Sequence, residues 1–350
     1  MRIKAIETKR QKIPLKLTFK TASGASRAAE SLIVRVILED GHEGVGESPT
    51  SIVYKSESIE RIEGFIKTVI PNLVGNEIED YPVLIEELKK RKDKSIFALS
   101  GLEVALFRAY LALIGVSEFS YWGGKRRVLE TDITIPNIEI NLSKNWASFF
   151  AKKGFRSFKI KLKGDPTEDL RFLEGISKTL KRILKDKHSI RLDMNGSYSL
   201  KNFYSFSESL KKLEISIEFI EQPLPKEDYR GLKELIKRSD FEIILDESVL
   251  SVEDLDRIGL IGFKGGINIK IPKSGISESK KIYDLAKAQN LKLMIGCMME
   301  SIIGLKAGIF FAMGKGELDY IDLDAVHFLK WKKFPPLLSS SGPFYVYSGS

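Results

Sequence analysis

The chain is poor in several things that would settle its class at once. It holds a single cysteine among 350 residues, which excludes an internal disulfide framework. No apolar run approaches the roughly 18 residues of a membrane span. Met1-Arg2-Ile3-Lys4 leads straight into a strand-like pattern with no apolar core of about 7 or more residues behind it, so no signal peptide is expected. No Gly-x-Gly-x-x-Gly or Walker motif follows any candidate strand, so nucleotide binding has no support. A soluble cytoplasmic protein with no membrane partner is expected. The net charge of +9 is compatible with a nucleic-acid surface. However, the lysines are spread over helix faces such as 181–187 and 201–212, with no arginine-aromatic cluster beside them. No nucleic-acid partner is expected.

What is present is a repeat. Ile160-Lys161, Leu192-Asp193, Ile220-Glu221, Leu245-Asp246 and Ile269-Lys270 each end a short apolar run in a charge. The charges are spaced 24 to 32 residues apart, about the length of a strand, a helix and two loops. Strands are expected at 130–135, 157–162, 189–194, 217–222, 242–247, 265–270, 291–297 and 320–325. Amphipathic helices are expected at 142–153, 166–185, 199–213, 227–238, 251–259, 276–289 and 301–313. Eight strands with seven helices between them predict a closed α/β barrel; an open doubly wound sheet is the alternative.

Residues 1–125 read as an α+β unit. Ile3–Leu17, Ser31–Glu39 and Gly44–Ser48 form a meander turning at Gly41-His42. Helices follow at 56–70, stopped by Pro71, at 81–91 and at 95–113. Thr18–Ala29, rich in Ser, Gly and Ala, reads as a mobile lid loop. The segment 331–350 is rich in Pro, Ser and Gly and is expected to return over the first domain or fray.

Asp193, Glu221 and Asp246 fall at equivalent ends of three successive strands, which are neighbours around one barrel mouth. Three carboxylates with no Cys or His beside them suit a hard cation that keeps open positions, and Mg²⁺ above others. Helix capping is the competing reading of each one singly. Asn195 and Gln222 are placed to orient the cluster. Lys159 and Lys161 are two apart on a strand and share a face. A lysine inside a barrel needs a charge partner, and the carboxylates supply one. Lys270, from a strand further round, faces Lys161 across the mouth. Asp322 and Asp324 share a face of the last strand and suit a cationic substrate group, with capping again the alternative.

Lys-x-Lys, Asp, Glu, Asp-Glu-Ser and Lys in this order resemble the enolase superfamily, in its muconate-lactonizing-enzyme-like subgroup. The resemblance implies a modified (β/α)₇β barrel (126–330) with an N-terminal α+β capping domain. It implies one Mg²⁺ per subunit on Asp193, Glu221 and Asp246, with Lys161 and Lys270 as the acid/base pair and Lys159 tuning Lys161. The superfamily stabilises an enediolate with Mg²⁺. Asp322-x-Asp324 and Gly296-Cys297-Met298-Met299-Glu300-Ser301 are similar to its dipeptide epimerases. In those, the Asp pair holds the substrate ammonium, and Cys297 and Thr134 would contact substrate. The implied reaction is two-base epimerisation of the second residue of a dipeptide, L-Ala-D/L-Glu of murein peptide, by a homo-oligomer. A cycloisomerase or o-succinylbenzoate synthase is the alternative, disfavoured because those substrates carry no ammonium. Glutamate-specific members place an Arg in the cap loop where this chain has Gly24. Arg27 and Lys20 are the candidates to replace it.

Overall fold

The computed structural model describes residues 1–259, 263 and 265–349. Strands β1 (Ile3–Thr21), β2 (Gly24–Leu38) and β3 (Glu43–Pro49) form an antiparallel sheet in that order. Leu32, Val34, Val36 and Leu38 alternate along β2 and are fully buried, the period of a strand with one covered face. Helices α1 (Ile59–Leu73), α2 (Tyr81–Lys89), α3 (Ile96–Leu113) and α4 (Glu118–Tyr121) complete the unit. The sheet lies directly on α3. A Cβ on Gly46 would sit 2.0 Å from the Gly101 carbonyl oxygen, so only glycine allows this approach.

Three expectations are corrected here. Thr18–Ala29 is not a loop but the end of the β1–β2 hairpin, with Phe19, Lys20 and Thr21 paired to Ser26, Ala25 and Gly24. Small side chains hid a strand whose stability comes from backbone pairing. Helix α1 starts after Ser58, whose side chain accepts from Arg61 N, and runs past Pro71 to Leu73. So near its end the helix loses little by lacking one N–H. Finally, α3 does have the length and apolarity of a membrane span, 18 residues at mean hydropathy 1.7. It is nevertheless a core helix, mostly buried and carrying Glu103 and Arg108.

Strand β4 (Val128–Glu130) precedes the barrel proper. The eight barrel strands are β5 (Ile133–Ile135), β6 (Ser157–Lys161), β7 (Ser189–Asp193), β8 (Ile217–Glu221), β9 (Ile243–Leu245), β10 (Gly266–Lys270), β11 (Lys292–Gly296) and β12 (Tyr320–Asp322). They run parallel in sequential order, which excludes the doubly wound alternative. A hydrogen bond from Asp132 N to Ile321 O, 3.2 Å, joins the first strand to the last. The expected strand 130–135 is thus two elements, split at Thr131-Asp132.

The intervening helices are α5 (Ile140–Lys152), α6 (Pro166–Leu184), α7 (Leu200–Lys211), α8 (Tyr229–Arg238), α9 (Val252–Ile258), α10 (Ile271–Ala288) and α11 (Ile302–Lys315). After β12 comes one turn, α12 (Ala325–Phe328). The last segment does not fray: β13 (Leu338–Ser341) and β14 (Phe344–Tyr347) form a hairpin that pairs with β4. It touches the cap where Tyr347 stacks on Phe119, 4.8 Å between centroids. Ser350 of that segment lies outside the described residues.

Two buried cap carboxylates dock the cap onto the barrel. Glu47 of β3 accepts from Ser301 N and Gly304 N, both 2.9 Å, at the start of α11. Glu103 of α3 accepts from Ile276 N at 3.0 Å and Ser277 N at 2.9 Å in α10. These satisfy helix N–H groups that have no partner in their own helix. Gly275, at φ 78°, breaks α10 there, and a Cβ on it would lie 2.0 Å from Glu103 Oε2.

Candidate active site at the barrel mouth

The parallel strands place the sequence-predicted charges at one end of the barrel, and all of them are buried. Lys159 and Lys161 from β6, Asp193 from β7, Glu221 from β8, Asp246 just beyond β9, and Lys270 from β10 are each 5% exposed or less. Each carboxylate carries an ammonium. Lys161 Nζ pairs with Asp193 and reaches Asn195 Oδ1 at 3.2 Å. Lys159 Nζ lies 3.2 Å from Glu221 and 3.6 Å from Asp193, and also pairs with Asp322. Lys270 Nζ is 2.6 Å from Asp246 Oδ2, and Lys273 Nζ is 2.8 Å from Asp246 Oδ1.

The electrostatics follow from this layout. Burial, then the Asp193 charge, pushes Glu221 up to about 8. Burial works the same way on Asp246, but Lys270 and Lys273 outweigh it and hold that carboxyl below its usual range. Asp193 is likewise held low against burial by Lys161 and Lys159. Lys270 loses to burial but gains more from Asp246 and Glu221, so its pKa is raised.

Supporting groups hold the ring in place. Asn268 Nδ2 donates to Glu221 Oε1 at 2.7 Å. Gln222 Oε1 accepts from Asp246 N and Ser248 N, and its Nε2 donates to Ser248 Oγ. Asn195 Nδ2 donates to Glu247 Oε1 at 3.0 Å. Asn195 and Gln222 both adopt left-handed backbone, φ 42° and 38°. That is strained for a non-glycine residue and fits groups kept for their side chains.

On the seam side, Asp324 Oδ2 accepts from Thr134 N at 2.6 Å, and Cys297 Sγ lies 3.9 Å from Asp324 Oδ1. Asp322, Asp324, Thr134, Lys159, Lys161, Lys270 and Cys297 all line one cavity under the cap. Cap residues Phe19, Thr21, Ser26, Ala28 and Glu30 form its roof, joined by the 50–54 segment. Lys20 and Arg27, the candidates for the missing cap-loop cation, are exposed and do not line the cavity.

Sequence reasoning missed four groups. Arg191 and Asn268 sit two residues before Asp193 and Lys270, so the period-two argument that placed Lys159 applies equally to them. Asp132 lies in what read as the middle of a strand. Lys273 stands on the first turn of α10, where nothing in its neighbours marks it. Among the described residues the tightest carboxylate cluster is also not the predicted triad. Asp132, Asp322 and Asp324 each bring one oxygen within 4.8 Å of the others. Arg191 Nη1 binds Asp132 Oδ2 at 2.7 Å, and Lys159 takes Asp322, so that cluster already holds two cations.

A parallel barrel with acids and lysines converging on its capped mouth defines a class, and the comparisons agree with it. Residues 141–343 match the Enolase C-terminal domain-like family, and the chain belongs to that family. The L-Ala-D/L-Glu epimerase of Bacillus subtilis is 32% identical over 98% of this chain and 93% of its own. The structure of that epimerase in a substrate-liganded complex superposes with a TM-score of 0.92, covering 100% of this chain and 97% of the other, at 30% identity. A dipeptide epimerase from Enterococcus faecalis, solved with Mg and L-Leu-L-Tyr, is 26% identical with a TM-score of 0.87, covering 99% and 98%.

Proposed function

We propose that this protein is a Mg²⁺-dependent dipeptide epimerase that inverts the α-carbon of the second residue, with L-Ala-D/L-Glu as its reference substrate pair. One observation carries the reading. Lys161 on β6 and Lys270 on β10 enter the same buried cavity from different sides, and Asp322 and Asp324 stand apart from the carboxylates those lysines cover. The second pair matches a substrate ammonium, which cycloisomerase and o-succinylbenzoate synthase substrates lack.

The donor set fits a hard divalent ion. Asp193, Glu221 and Asp246 offer carboxylate oxygens alone, with no Cys or His. Burial, then the Asp193 charge, pushes Glu221 up to about 8, and a divalent ion beside it would favour its ionised form. These three would hold Mg²⁺, one per subunit. The ion would offset negative charge as it develops on the substrate carboxylate.

The chain's own residues do the rest. Lys270, kept protonated by Asp246 and Glu221, is the proton donor on its face. Lys161, freed from Asp193, is the acceptor on the other face, and the roles exchange in the reverse direction. Asp324, fixed by Thr134 N, and Asp322 orient the ammonium end. Lys159 spans Asp322 and Glu221, so it ties the ammonium site to the carboxylate ring. The cap, residues 1–125, roofs a catalytic barrel of 126–330, and the C-terminal segment from 331 returns toward the cap. We further propose a cytoplasmic homo-oligomer acting on a small dipeptide.

The test is proton exchange. In D₂O with Mg²⁺, the α-proton signal of the second residue of L-Ala-L-Glu is expected to disappear, and EDTA or Lys161→Ala should abolish the loss. No exchange with any member of an L,L-dipeptide library, with Mg²⁺ demonstrably bound, would sink the reading.

A further inference from the structure

Beneath the ammonium site lies a buried charge chain with no part in the reaction as proposed. Arg191 comes off β7 two residues before Asp193, points into the barrel and is only 6% exposed. Its Nε pairs with Glu218 at 2.6 Å, and its Nη1 with Asp132 Oδ2 at 2.7 Å and Ile321 O at 3.2 Å. The guanidinium packs over the Phe219 and Tyr320 rings, at 5.4 and 5.1 Å. Asp132 is 1% exposed, and its main-chain N–H closes the barrel seam onto Ile321.

Two oxygens in this chain are left over. Asp132 Oδ1 and Asp322 Oδ1 are both buried without a hydrogen-bond partner. Both residues belong to the cluster whose oxygens approach within 4.8 Å. Two buried carboxylates this close cannot both stay ionised cheaply, because desolvation and like charge add. Arg191 serves Asp132 from β7, Lys159 serves Asp322 from β6, and Asp324 adds a third carboxyl from beyond β12. The cations facing the cluster are fewer than the acids, since Arg191 is shared with Glu218 and Lys159 with Glu221. Burial, then Asp322, accordingly drives the Asp132 carboxyl well above the usual range.

We propose that Asp132 is a positioning residue: clamped by Arg191 and tied through its main-chain N–H to Ile321 O, it backs Asp322 and fixes the orientation in which Asp322 meets the substrate ammonium. This rests on the epimerase reading. A hydrogen bond to a charged partner in a dry site is worth enough to change substrate binding about tenfold or more.

The experiment compares the Mg²⁺-loaded wild type with Asp132→Asn, Asp132→Ala and the double variant Asp132→Leu/Arg191→Leu, using L-Ala-L-Glu as probe. Asp132→Asn keeps an acceptor for Arg191, and its KM should stay within about threefold of wild type. Asp132→Ala should raise KM roughly tenfold or more while kcat falls by less than about threefold. If the lone Arg191 prevents Asp132→Ala from folding, the double variant removes both buried charges and should show the same rise in KM. Wild-type KM in both the Ala and the double variant overturns the proposal. An inactive wild type would instead count against the epimerase reading on which the proposal rests.

Discussion

Glu103, in the middle of cap helix α3, accepts hydrogen bonds from Ile276 N and Ser277 N of barrel helix α10. The carboxylate sits where Gly275 leaves room for it. A cap residue thus does for a barrel helix what an N-cap side chain does within its own chain segment. Removing it would strand one buried and one half-buried N–H group. Glu103→Ala is expected to lower stability by about 2 to 4 kcal/mol, one lost acceptor for each of two donors. Urea unfolding measured by circular dichroism gives the value, and an unchanged midpoint would refute the role.

The two lysines are expected to be separately indispensable. Lys161→Ala and Lys270→Ala should each lower epimerisation by about 10² to 10⁴-fold, the usual span for general acid–base groups. The two should differ in stereochemistry. Each variant should retain α-proton exchange, if any, from only one of the L,L and L,D diastereomers, because one face keeps its base. Equal residual exchange from both diastereomers would argue against opposite-face bases.

Mg²⁺ should stabilise the fold, since it binds the native carboxylates and not the unfolded chain. At about 100-fold excess over its dissociation constant the gain is about 2.7 kcal/mol. A thermal melt with and without EDTA reads it. Glu221→Gln should shrink the difference, and a wild-type response from that variant would remove Glu221 from the metal site.

His327 sets an acid limit. It is buried against Phe150, Phe155 and Tyr345. Burial, then Lys332 and Lys16, pushes its pKa down to about 3 from 6.5. Between those values the unfolded chain binds a proton the native imidazole refuses. Its contribution to stability is therefore whole above pH 6.5 and lost as the pH falls toward 3. The slope approaches about 1.4 kcal/mol per pH unit for this one group. His327→Met should flatten the fall measured by urea titration at pH 7, 6 and 5. Parallel curves would mean His327 titrates normally.

The barrel was legible because each strand ends an apolar run in a charge, a pattern that side-chain alternation and repeat length both enforce. Its first strand was not, since Val128–Ile135 alternates without visible interruption and the break at Thr131-Asp132 is a change of partner, β4 pairing with β14 and β5 with β6. The hairpin end at residues 18–29 was hidden for the opposite reason. Its backbone pairing needs no apolar period, so Ser, Gly and Ala disguised a strand as a loop. The ring of lysines and acids followed from register, whereas Arg191 and Asn268 obeyed the same register and went unread. Lys273 and Glu103 act on partners far off in sequence, and no local pattern announces them.

The fastening of the cap has a consequence for the cavity. With Glu47 and Glu103 buried in the starts of α11 and α10, raising the cap as a whole would expose two carboxylates and their helix ends together. The β1–β2 hairpin is fastened elsewhere: Phe19 meets Phe328 edge-on, 5.3 Å between centroids, and Lys16 Nζ donates to His327 O at 2.9 Å. Both contacts fall on α12, the turn that follows Asp322 and Asp324. The roof of the cavity is thus anchored beside the acids at its floor, and the spacing between the two is set by one short turn.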